Sequence, residues 1–98
     1  MALENEVFIS SATVWEIAIK KAAGRLVFPV EQYEAIAGRL GAAMLPILPA
    51  HAVAAGALPR HHGDPFDRML IAQAKFESLI LVTGDAVMKQ YDVVIFDG

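Results

Sequence analysis

A chain of 98 residues with no cysteine and a net charge of −3 builds one modest core. It excludes a disulfide scaffold and a thiolate zinc site, and it carries no global basic field for nucleic acid. Its 56% hydrophobic content against 19% charged residues predicts a surface poor in charge, and hence a homodimer, a higher oligomer or another protein partner. The apolar runs are short and interrupted, so no membrane span is expected. The polar start Met1-Ala2-Leu3-Glu4-Asn5-Glu6 is unlike a secretory leader, and the lack of cysteine suits a reducing cytoplasm, the expected location.

In chain order, Val7-Phe8-Ile9-Ser10 reads as a short buried strand. Thr13 and Glu16 have the spacing of a capping box, with Ser11 as a rival cap, and open a helix through Trp15, Ile17, Ala18, Ile19 and Ala22. Lys20 and Lys21 suit its negative end, and Gly24 is its natural stop. Residues 30–43 carry Val30, Tyr33, Ile36, Ala37 and Leu40 at helical spacing, continued by Met44, with an end expected near Gly41. The prolines of Leu45-Pro46-Ile47-Leu48-Pro49 predict a short strand near a sheet edge. An Ala-rich helix is expected over residues 50–58. Trp15, Phe28 and Phe76 are expected in the core.

The most informative stretch is His61-His62-Gly63-Asp64-Pro65-Phe66-Asp67-Arg68-Met69-Leu70-Ile71-Ala72-Gln73-Ala74. Asp64 is suited to the N-cap and Pro65 to the first helical position, where its missing N–H costs nothing. A helix to about Glu77 follows, with Asp67 in its first turn near the positive end of the dipole. Leu79-Ile80-Leu81-Val82-Thr83 reads as a central strand, Gly84-Asp85 as a turn into a brief helix through Met88 and Lys89, and Val93-Val94-Ile95-Phe96 as a last strand. This alternation predicts a three-layer α/β fold with a mostly parallel sheet, in one domain over residues 1–98.

Ligand sites in open α/β sheets lie beyond the carboxyl ends of strands. Glu16 follows the first strand, Asp85 follows the third, and Asp67 starts the helix leading into that strand. Three carboxylates on one rim would suit Mg²⁺ or Mn²⁺, which take hard oxygen ligands. Each acid also has a structural explanation: a capping box for Glu16, an N-cap for Asp64, the helix dipole for Asp67 and a turn for Asp85. His61 and His62 are adjacent and read as a solvated loop near phosphate rather than a zinc pair. The residues leave open an unrelated α/β phosphoryl-transfer domain, although the chain has no Gly-rich phosphate loop.

Three segments together resemble the PIN-domain ribonucleases of the VapC toxin type: residues 4–20, the stretch Leu58-Pro59 with residues 61–74, and Leu81-Val82-Thr83-Gly84-Asp85. The resemblance covers essentially the whole chain in one order. It implies an endoribonuclease dependent on Mg²⁺ or Mn²⁺, acting on RNA and restrained by a cognate antitoxin. By position, Glu16, Asp67 and Asp85 match the family's catalytic metal-binding acids. Asp64 and Thr83 match supporting positions. Arg68, Arg60, His61 and Lys20, together with Lys21 and Arg25, are candidates for RNA phosphate contact. The chain opens at what resembles the family's second strand, so the usual first strand and its Asp have no counterpart among these residues. That leaves a gap in the expected sheet. It also implies an alternative, a non-catalytic PIN remnant that dimerises or binds an antitoxin.

Overall fold

Strand β1, Val7–Ser10, runs straight into helix α1, Ser11–Ala22, with no linker between them. The junction works because Ser10 has extended backbone angles and a hydroxyl that accepts the Ala12 N–H at 3.0 Å. Ser10 is therefore both the last strand residue and the N-cap. The computed structural model describes residues 6–60, 63–82, 91 and 95–96 and divides into two units, Met1–Pro46 and Ile47–Gly98.

The cap at Ser10 corrects the expected start of α1. Thr13 and Glu16 do not form a capping box; Glu16 lies in the second helical turn. The expected stop holds. Gly24 has φ +73°, its N–H donates to the Lys21 carbonyl at 3.0 Å, and the Arg25 N–H reaches back to the Lys20 carbonyl at 2.9 Å. This is the Schellman arrangement, which glycine enters without the steric cost of a Cβ.

The helix expected over residues 30–43 is a 3₁₀ turn, Val30–Gln32, followed by helix α2, Tyr33–Arg39. Gly41 at φ +71° then turns the chain into strand β2, Ala42–Leu45. The strand thus precedes the prolines instead of containing them, and Met44 belongs to it rather than to the helix. Strand β2 pairs in parallel with β1, in the register Val7↔Ala42 to Ser10↔Leu45. Among the described residues of this unit, Ser10, Ala12, Val30 and Ala37 are buried.

In the second unit, helix α3 spans Pro49–Ala57 and helix α4 spans Pro65–Glu77. Both prolines occupy the first helical position, where no N–H is needed. Helix α4 ends with Ser78 in the left-handed region, φ 57° and ψ 44°, and the Leu79 N–H returning to the Ala74 carbonyl at 2.8 Å. Strands β3, Leu81–Val82, and β4, Ile95–Phe96, pair in parallel. The core of this unit joins Leu58, Ile71, Ala72, Ala74, Leu81 and Tyr91, with Ala54, Ala55, Leu70 and Leu79 packed against it. Full burial of a side chain such as Ile71 contributes about 1.5–3 kcal/mol.

Both described strand pairs are parallel, and helices α1 and α2 lie between β1 and β2, which makes the architecture α/β. The helix expected after Asp85 lies outside the described residues. The face of α4 turned inward is Ile71, Ala72, Gln73 and Ala74, while Phe76 is 56% exposed. Trp15 is likewise 60% exposed, so two of the three expected core aromatics are on the surface and Phe28 is half-buried. No helix among the described residues is long and apolar enough to cross a membrane.

Candidate functional site

Asp67 is the third residue of α4, and the chain fixes that first turn from two directions. From the front, Asp64 caps the helix: its Oδ1 accepts the Phe66 N–H at 2.8 Å and the Asp67 N–H at 3.4 Å. The first intrahelical bond follows at once, from the Arg68 N–H to the Asp64 carbonyl at 3.0 Å. The half-buried Asp67 side chain thus sits where exposed N–H groups and the helix dipole favour a negative charge. Both the expected cap and the expected helix start hold.

From behind, Arg68 grips the end of α3. Its Nη2 donates to the carbonyls of Ala55 at 2.9 Å and Leu58 at 3.0 Å, and its Nη1 donates to Pro59 at 2.9 Å. The Tyr91 hydroxyl accepts from Nη1 at 3.5 Å, the long limit of a hydrogen bond. These carbonyls cluster at the C-terminal end of α3, the negative pole of its dipole, where Ala55 also accepts the Leu58 N–H at 3.4 Å. The terminal N–H groups of Arg68, expected at RNA phosphate, are placed on three backbone carbonyls and the Tyr91 hydroxyl.

Glu16 belongs to the first unit and Asp67 to the second. The Glu16 carboxylate lies 3.2 Å from Lys20 Nζ, one turn further along α1. An exposed pair of this spacing contributes about 0.3–0.5 kcal/mol, so it is readily exchanged for a stronger cation. Lys20, expected at RNA phosphate, is placed on Glu16. Lys21 is held by Glu31 at 2.7 Å, and this hydrogen bond, first among the causes, pulls the Glu31 carboxyl below its ordinary value of 4.5. Arg25 and Arg60 are exposed. His61, Thr83 and Asp85 lie outside the described residues.

Among the described residues no group of three or more His, Asp or Glu side chains stands together as a metal site. By donor chemistry, Asp67 and Glu16 offer carboxylate oxygens only, as Mg²⁺ and Mn²⁺ require. The third expected acid, Asp85, falls outside the described residues.

Sequence reasoning missed a buried polar group. His51, fully buried at the third position of α3, accepts the Leu48 N–H on Nδ1 at 3.0 Å. Its Nε2 meets Glu77 Oε2 at 2.8 Å, and Gln73 Nε2 lies 3.4 Å from Nδ1. The imidazole does half the work of a capping box at a position where Glu or Gln is the usual signal. The available signal was the position itself, two residues after the helix-opening Pro49.

Compared with known families, the chain matches the PIN domain model over residues 1–94. The chain belongs to the PIN domain family. PIN domains are typically nuclease modules that use divalent metals, and the family generally binds RNA and often works in dimers with antitoxins. No curated protein and no solved structure matches the chain significantly.

Proposed function

We propose that this chain is a ribonuclease of the VapC toxin type, hydrolysing RNA phosphodiesters with Mg²⁺ or Mn²⁺, in the cytoplasm and under a cognate antitoxin. The observation that carries it is the family match over residues 1–94, which spans Glu16, Asp67 and Asp85 in one frame. Each of these acids is expected to contribute carboxylate oxygen to the metal. Bound there, the cation supplies Lewis acidity to the scissile phosphate. Asp67 offers its charge from a helix start that Asp64 caps. The Thr83 hydroxyl supports the acids, and Lys20, Arg60 and His61 meet the flanking phosphates. In hydrolysis the water oxygen bonds to phosphorus as the ester P–O bond breaks, and the departing ester oxygen takes up a proton to leave as a hydroxyl.

Mn²⁺ titration followed by the free-ion electron paramagnetic resonance signal tests this reading. Saturable binding that weakens in each of Glu16→Gln, Asp67→Asn and Asp85→Asn supports it. Binding that none of the three alters refutes it.

The second reading is a non-catalytic PIN module that forms homodimers or binds an antitoxin. It is favoured by exposed apolar side chains: Val27 fully, Val53 at 75%, Leu40 at 68% and Trp15 at 60%. A monodisperse monomer by light scattering, with no binding of an apolar dye, would sink it.

A further inference from the structure

Among the described residues, Arg68 donates through its two terminal nitrogens to the carbonyls of Ala55, Leu58 and Pro59 and to the Tyr91 hydroxyl. It does so from the residue beside Asp67. We propose that Arg68 is a positioning residue for Asp67: its guanidinium fastens the first turn of α4 to the end of α3 and so fixes the carboxylate that binds the divalent cation. The inference rests on the metal-dependent nuclease reading above.

The physical case starts from what a helix start does when left alone. Terminal turns fray, because their N–H groups lack intrahelical partners and few contacts hold them. Metal sites demand placement to within about 0.5 Å, which a fraying turn does not give. Here the turn is tied at two points. Asp64 holds its N–H groups, and Arg68 anchors its next residue to three carbonyls. Those carbonyls span the last turn of α3 and the start of its loop, so the bonds join two elements rather than tidying one. Tyr91, 4% exposed in the core, gives the planar fork a fourth contact. A lysine ammonium has three donors on one point and cannot serve four separated acceptors in this fork geometry.

A phosphate-binding arginine and a positioning arginine make opposite predictions. Loss of a phosphate contact raises KM for RNA and lowers the salt slope of binding by about one. Loss of a residue that orients a metal ligand weakens metal binding about 10- to 100-fold and lowers kcat, with KM and salt slope unchanged.

The experiment compares the whole chain with Arg68→Lys, Arg68→Gln and Asp67→Asn, each checked for native circular dichroism. Mn²⁺ affinity comes from the free-ion resonance signal, and amide hydrogen exchange at Phe66 and Asp67 is followed without metal. The expected result is Mn²⁺ binding at least 10-fold weaker in both Arg68 variants, with faster exchange at Phe66 and Asp67. Folded Arg68 variants with unchanged Mn²⁺ affinity would overturn the proposal, as would a raised KM with a reduced salt slope. Failure of even Arg68→Lys to fold would make Arg68 a residue of the fold and overturn it too. A wild-type chain that binds no Mn²⁺ defeats the functional reading and this inference together, whereas wild-type binding untouched by Arg68 defeats the inference alone.

Discussion

Replacing His51 by alanine removes a fully buried, hydrogen-bonded side chain that ties the first turn of α3 to the last turn of α4. The ring accepts the Leu48 N–H on Nδ1, so its proton sits on Nε2 and is donated to Glu77 at 2.8 Å. Its edge also meets Phe76, with ring centroids 5.4 Å apart and planes at 84°. A neutral hydrogen bond is worth about 1 kcal/mol and one to a charged group about 1.5–3 kcal/mol. The aromatic contact adds about 0.5–1.5 kcal/mol. His51→Ala therefore costs about 4 kcal/mol, a large share of the roughly 5–15 kcal/mol that holds a domain of this size together. At about 4–8 °C per kcal/mol, the melting temperature falls by about 15–30 °C. His51→Gln keeps an oxygen for the Leu48 N–H, as a capping box does, and costs about half as much. Urea denaturation with unchanged m-values measures both. A loss below about 1 kcal/mol for alanine, or glutamine no better than alanine, would refute the reasoning.

Three further outcomes follow from single contacts. Ser10→Ala removes the cap of α1 and is expected to cost about 1 kcal/mol by urea denaturation, while Ser10→Asp retains most of it. Ser78→Gly relieves a non-glycine residue at φ 57° and is expected to stabilise by about 0.5–1 kcal/mol in the same assay. Because the folded-state pKa of Glu31 lies below its ordinary 4.5, its pairing with Lys21 stabilises above that pH and is lost as pH falls through the lowered value. A carbon-13 titration of the Glu31 carboxyl should show the depression, and Lys21→Met should return it toward 4.5.

The start of α4 was legible because Asp64 and Pro65 each permit few alternatives: one caps, the other opens a helix and cannot sit inside one. The start of α1 was not, since Ser10, Ser11 and Thr13 are all capable caps and the strand leaves no linker to separate them. What decided it was tertiary: β2 pairing carries β1 through Ser10. Strand β2 was hidden because Leu40 and Met44 continue the helical spacing, and only the positive φ at Gly41 breaks it. Pro46 and Pro49 suggest an edge strand, yet one follows β2 and the other opens α3. Arg68 shows the limit of residue type as a guide. A basic residue beside a carboxylate suggests phosphate, but its partners are backbone carbonyls brought near by the turn between two helices, which spacing alone does not reveal. The acids stand out by their places at strand ends and a helix start, but each also has an ordinary structural use, so only the family resemblance joins them into one site.

The most direct test of the nuclease reading is cleavage of a mixed RNA pool by the purified chain with and without Mn²⁺, alongside Asp67→Asn. Cleavage that needs Mn²⁺ and disappears in the variant is the expected result. RNA left intact by the wild-type chain in Mn²⁺, or cut equally well by Asp67→Asn, would contradict it.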